Sequence, residues 1–235
     1  AGVRWAFGGA LVMAAVALGA QQRLIADDAA DARKGSWSPP REMISLMDPA
    51  LKNLLLADIL VRFCEQIPYA FVVLWCMKDI SSPVSAFQFG ILTAVEMAVA
   101  MLIYVPVAWM ADRGGKKPFV VATFCFFAVF PVVLFLSRSF WPLVLAFGVR
   151  GLKEFGEPTR KALIMDLAPE GQKAAMFGTY YLIRDLVVSV AAFGGAFLWA
   201  VSPALNFFVA SLCGAAGTFW FVRHGQDMEG RKGEA

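Results

Sequence analysis

Ten charged side chains sit inside long apolar stretches of this chain: Asp58, Arg62, Glu65, Glu96, Arg150, Lys153, Glu154, Glu157, Arg184 and Asp185. At mid-bilayer such a charge costs about 2.5–3.5 kcal/mol on insertion scales, so it normally faces a bundle interior or a water-filled cavity. Six are acids and four are bases. An isolated carboxylate in a low-dielectric site can take and release protons, which is what proton coupling requires. Glu65 and Glu96 lie near mid-span and read as isolated carboxylates, so they are the first candidates for that role. Their escapes from the burial cost are protonation or a partner on another helix, with Lys153 or Arg184 as that partner.

Helical geometry groups the rest. At about 100° per residue, Asp58, Arg62, Glu65 and Tyr69 fall within an arc of roughly 60°. Arg150, Lys153, Glu154, Glu157 and Lys161 fall within roughly 100°. Spacings of three or four allow the local pairs Asp58–Arg62, Arg150–Glu154 and Lys153–Glu157. Arg184 shares a face with Tyr180 and Tyr181, while Asp185 points about 100° away and is not read as its partner. These charges either hold helices together as structural ion pairs or line a cavity for solute and protons; the residues alone leave both open. The half-cavity is mixed and slightly acidic, which disfavours a strongly anionic solute. No nucleophile–base set, phosphate-binding glycine loop or metal-ligand cluster is present, so no catalytic residue, metal or cofactor is assigned.

The elements that must position these groups follow from composition. Of the 235 residues, 59% are hydrophobic and only 17% charged; a soluble domain averages about 45–50% and about 25%. Seven apolar spans are expected, at 3–22, 51–77, 84–111, 118–136, 140–163, 174–199 and 204–222. Backbone in lipid must satisfy itself, so they are helices. Pro68 kinks the 51–77 span and frees carbonyls near Glu65. The run "AAFGGAF" at 191–197 offers a small-residue face for close packing. Cys64, Cys76, Cys125 and Cys213 lie in or beside spans with no metal spacing and read as small buried hydrophobes. Residues 24–50 read as a polar linker, in preference to a short amphipathic helix within "PREMISLM". The first span lacks the basic start and cleavage site of a signal peptide.

Lys and Arg mark the cytoplasmic side of short loops. Fourteen fall on one face: Arg23, Arg33, Lys34, Arg41, Lys52, Arg113, Lys116, Lys117, Arg160, Lys161, Lys173, Arg223, Arg231 and Lys232. Three fall on the other, namely Arg4, Lys78 and Arg138. The linker and the C-terminal tail are therefore expected in the cytoplasm.

"PVAWMADRGGKKPFV" at 106–120 is a cytoplasmic turn on this sorting. Basic loop residues set topology, which accounts for Lys116 and Lys117 but not for Asp112 at a helix end or for Gly114 and Gly115. "AWMADRGGKK" resembles the signature loop of the major facilitator superfamily, with Asp112, Arg113, Gly115, Lys116 and Lys117 matching and Ala108 in place of its first glycine. "RGLKEFGEPTRKALIMDLAPEGQKAAMFG" at 150–178 is similar to that family's helix–loop–helix, and "GVRWAF" at 2–7 to the entry of its sixth span. The resemblance implies an all-α multi-span bundle: a six-helix C-terminal half plus one additional N-terminal transmembrane helix, with the first five spans missing. It divides the chain into a span at 1–23, a cytoplasmic linker at 24–50, the six-helix half at 51–224 and a cytoplasmic tail at 225–235. It implies a gate in which Asp112, Arg113 and Asp166 latch helix ends, with Arg113 reaching Asp166. It further implies a secondary transporter in the plasma (inner) membrane, moving a small solute by alternating access with protons. Its partners would be the lipid bilayer, the solute, protons and the missing N-terminal half, with no nucleic acid. The alternative is a non-transporting membrane protein of the same fold, serving as assembly partner or sensor.

Overall fold

The computed structural model describes residues 2–24, 40–111 and 115–227, and every regular element among them is helical. By compactness the chain divides into residues 1–37 and 38–235. The first unit holds α1, Gly2–Leu24, a helix of 23 residues where the sequence placed its first span.

The second unit opens with α2, Pro40–Leu46. This corrects the linker reading of its final residues: Met43 and Met47 are fully or nearly fully buried, so apolar burial holds the short helix. Asp48 then caps α3, Pro49–Gln66, by accepting from Ala50 N at 2.9 Å, with Pro49 in the first turn, where its missing N–H costs nothing. The same leg continues through α4, Phe71–Leu74, and a π-helical turn, Trp75–Asp79. The remaining helices are α5, Ala86–Ala111; α6, Lys117–Leu136; α7, Phe140–Leu152; α8, Glu157–Leu167; α9, Lys173–Val201; and α10, Pro203–His224. Among the described residues, five stretches are long and apolar enough to cross a membrane: 49–79, 86–111, 117–136, 173–201 and 203–224.

The expected span at 140–163 is not one helix. It divides into α7 and α8, of 13 and 11 residues, each shorter than the roughly 20 needed to cross a bilayer. Lys153, Glu154 and Phe155 each bond three residues back, tightening the end of α7. Gly156 N then leaves the helix ladder and donates to Thr123 Oγ1 at 2.5 Å. Pro158 restarts the chain in the first turn of α8.

The first leg breaks where Pro68 was expected to break it. Proline has no N–H to continue the ladder. Phe71 N and Val72 N both donate to Pro68 O, at 2.8 and 3.0 Å, which leaves Ile67 O outside the ladder. Asn206 Nδ2, fully buried on α10, donates to Ile67 O at 3.4 Å and to Gly195 O at 2.8 Å. Gly195 belongs to the small-residue run of α9, and a Cβ on it would lie 2.2 Å from Ile67 O. Only glycine admits that approach.

α10 packs against α3 and α6, α9 against α3, and α5 against α7. Two apolar cores result. One gathers Met43, Leu51, Leu54, Phe124, Leu163, Met176, Tyr180 and Phe221. The other gathers Val72, Trp75, Leu92, Phe130, Leu134, Leu143, Phe147 and Phe207. On the first leg Arg62 and Glu65, and on α7–α8 Arg150 to Arg160, fall in sequence between the contributions to these two cores. Cys64 and Cys76 are buried as read, but Cys125 is exposed.

The two ends of the bundle can be told apart. Lys117 N donates to Asp227 Oδ2 at 2.9 Å, and Asn53 Nδ2 to His224 O at 3.5 Å, which gathers the starts of α3 and α6 with the end of α10. Ser82 N donates to Arg138 O at 3.1 Å at the opposite end. Single cysteines at Ser81 and Arg138 should therefore label from one side of the membrane and one at Gly115 from the other. With the basic-loop bias, the first two are expected outside in intact cells. Labelling of the Gly115 site from outside would reverse the orientation.

Gly195→Ala should lower stability by about 1–3 kcal/mol through overpacking, or very roughly 2–12 °C in thermal midpoint for a chain this long. A Cβ on Gly194 meets nothing within 4 Å, so Gly194→Ala should leave the midpoint unchanged. Equal midpoints for both variants would remove the close-approach argument.

Candidate functional site

Asp58 on α3 is the centre of the charged region and is completely buried. Its Oδ2 pairs with Arg160 Nη1 of α8, accepts from the Tyr180 hydroxyl of α9 at 3.0 Å and lies 3.5 Å from Arg184 Nη1. Its Oδ1 is 3.7 Å from Arg62 Nε, one turn along α3. Arg160, also completely buried, spends its other nitrogens on Glu157, at 2.5 and 3.1 Å. Glu157 in turn accepts from Arg62 Nη2 at 3.1 Å. A carboxylate in the first turn of α8 also suits the positive end of that helix.

From Arg62 the pairing runs onward. Its Nη1 donates to Glu65 Oε2 at 2.7 Å. Glu65 Oε1 accepts from Lys153 Nζ at 2.6 Å, and the same ammonium lies 3.7 Å from Glu96 Oε1 on α5. Arg150 Nε closes the chain on Glu96 at 3.3 Å. α7 can bring Arg150 this close because Gly151 faces the Glu96 backbone; a Cβ there would lie 2.6 Å from Glu96 O. Aromatic rings back the cations: Arg62 and Lys153 stand 5.1 and 5.8 Å from the Phe127 centroid, Arg150 5.4 Å from Phe130, and Arg184 4.1 Å from Tyr181.

Several expectations need correction. Glu65 and Glu96 are not isolated. Arg62 precedes Glu65 by three residues on the same helix, and Lys153 serves both acids. The pairs Arg150–Glu154 and Lys153–Glu157 give way to Arg150–Glu96 and to Lys153 with Glu65 and Glu96. The helix on which their spacing was counted is interrupted at 153–156, so the four-residue register is lost. Asp185 does pair with Arg184, at 2.7 Å, because a long guanidinium can fold back over its own neighbour. Tyr69 lies past the end of α3 and is exposed, although it lines a narrow cavity of about 10 Å³ with Glu65, Arg150 and Lys153. That is space for one water.

Arg160 is the residue that sequence reasoning missed. The sequence pattern puts Arg160 on the cytoplasmic face and Lys161 on the polar stripe. The structure reverses them: Arg160 is buried and Lys161 exposed. The interruption re-phases α8 relative to α7, which moves the inward face by one residue. The signal was present in "FGEPTR", where glycine and proline mark a restart and Glu157 to Arg160 is a three-residue spacing counted from the new helix start.

At the loop end, Lys116 Nζ pairs with Asp166 Oδ2, tying the start of α6 to the end of α8. Both groups are partly exposed. Gly115 and Lys117 flank this contact. Asp112 and Arg113 lie outside the described residues, so the expected reach of Arg113 to Asp166 does too.

Removing one partner of a buried ion pair leaves an uncompensated charge, at about 3–5 kcal/mol. Arg160→Met should therefore lower the thermal midpoint by very roughly 6–20 °C. Lys161→Met should shift stability by no more than about 0.5 kcal/mol, and Lys116→Met, at an exposed pair, by about 1 kcal/mol or less. Equal effects of Arg160→Met and Lys161→Met in thermal denaturation would overturn the buried placement.

No curated relative matches the chain. The sequence profile of the Major Facilitator Superfamily matches residues 54–235, which takes in the whole network of pairs and most of the bundle. Members of that family are generally membrane transporters rather than enzymes, and their helices lie in the lipid bilayer. With its multi-span helical bundle and the basic turn between α5 and α6, the chain belongs to the Major Facilitator Superfamily.

Proposed function

We propose that the protein is a secondary active transporter that moves a small solute by alternating access, coupled to protons. The observation that carries this reading is the sharing of Lys153 between Glu65 on α3 and Glu96 on α5, at 2.6 and 3.7 Å. The ammonium sits closer to Glu65 than to Glu96, so a loss of charge on either carboxylate shifts the balance between them. Protonating Glu65 releases Lys153 towards Glu96; protonating Glu96 holds it on Glu65. The proton thus selects which helix is tied to the α7–α8 turn. Such ties suit alternation, because a ligand or proton shifts a two-state equilibrium only by its differential interaction with the two states. The Lys116–Asp166 contact at the loop end serves the same cycle as a weak latch. The protein acts in the plasma (inner) membrane, with Gly115 and the C-terminus in the cytoplasm.

The test needs no known solute. Single cysteines at Ser81 and at Gly115, in a protein freed of its four native cysteines, report the opening of each end by alkylation rate after reconstitution. Acidification should raise one rate and lower the other. Glu65→Gln and Glu96→Gln should each flatten that response while the protein remains inserted. If both variants keep the unaltered pH response, the carboxylates are structural and the coupling assignment fails.

A further inference from the structure

Along the spans from α3 to α9, ten charged side chains pair among themselves in one connected set. Five carboxylates, on Asp58, Glu65, Glu96, Glu157 and Asp185, meet five cations, on Arg62, Arg150, Lys153, Arg160 and Arg184. Glu154 lies beside this set and joins none of its pairs. No described residue makes an ion pair or hydrogen bond with its side chain. Lys153, its neighbour in sequence, is committed to Glu65 and Glu96. The paired set is neutral by itself, and Glu154 adds a negative charge that is held in no ion pair.

That charge has a defined setting. Glu154 lines an open cavity of about 490 Å³ whose other walls are Met97, Ala100, Met101 and Tyr104 of α5. Small-molecule sites span about 300–1,000 Å³ and combine an apolar lining with a few placed polar groups. Two thioethers and a phenol ring form a deformable apolar wall, which accepts varied hydrocarbon shapes and attracts cations over the ring. A neutral solute would leave the carboxylate unpaired, and an anion would be repelled by it. A bare metal ion would find one carboxylate where hard cations take six or more oxygens, so it is a poor occupant.

We propose that Glu154, Met97, Met101 and Tyr104 form a binding site for an organic monocation with an apolar or aromatic body. As the solute of the transport cycle, this cation rests on the transport reading above; as a binding site it stands on the unpaired carboxylate and its cavity. The carboxylate neutralises the charge of the ligand, and the α5 side chains cover its hydrocarbon.

Tetraphenylphosphonium and tetraphenylborate share shape and differ in the sign of their charge, so they make the test. Equilibrium dialysis of the purified full chain in detergent should show saturable binding of the phosphonium and weaker binding of the borate. Glu154→Gln should weaken phosphonium binding about tenfold, the equivalent of about 1.4 kcal/mol. Met101→Trp fills the cavity and leaves the charge in place; it should weaken binding as well, which keeps the proposal testable if the glutamine variant does not fold. Equal binding of the two ions, no saturable binding of the phosphonium, or undiminished affinity in Met101→Trp or in a folded Glu154→Gln would each overturn the site. Binding is read without a gradient or a pH change, so failure here leaves the transport reading intact, and loss of the pH response in alkylation leaves this site intact.

Discussion

The pairing of Asp58 with Arg160 is the contact on which the charged interior depends. Both groups are wholly removed from solvent, and neither can be ionised in hydrocarbon alone. Asp58 therefore draws the Tyr180 hydroxyl, Arg184 and Arg62 around it. Arg160 draws Glu157. Through these residues α3, α8 and α9 are fixed to one another at depths where apolar contact alone sets no register. Leucine against leucine is indifferent to a small slide; a carboxylate shared by three guanidinium groups is not. Buried pairs add little stability over an apolar replacement, so their value here is positional.

How much of this was legible in the sequence depends on what each signal rests on. Span positions come from composition alone, and most were readable to within a few residues. Pro68 was readable too, since a missing N–H breaks a ladder whatever surrounds it. Charge pairing was less so, because angular sorting assumes an unbroken helix. That assumption failed at Gly156 and Pro158, and it exchanged Arg160 for Lys161. Met43 and Met47 show another limit: a two-methionine face in a polar stretch looks like linker until a core exists to receive it. The sharing of Lys153 by two acids required the separation of α3, α5 and α7, which no one-dimensional pattern holds.

Membership of the family bears on the interior in a different way. A transporter bundle has to be rigid within its pieces and movable between them. The two apolar cores provide the rigidity, packed with aromatic contacts such as Trp75 with Phe207 and Phe124 with Phe221. The ionic network has mixed exposure, from wholly buried at Asp58 to 20% exposed at Glu65.

The split leg has a mechanical consequence. α7 is seated on α5 through Gly151 and through Arg150 with Glu96. α8 is seated on α3 through Arg160 with Asp58 and through Glu157 with Arg62. The two halves of one membrane crossing thus belong to different packed bodies, and the short turn at 153–156 is the joint between them. Lys153 stands at that joint with a hand on each body. Among the described residues, Lys153 is the one side chain that ion-pairs with both α3 and α5, so a change in their separation falls on its two contacts.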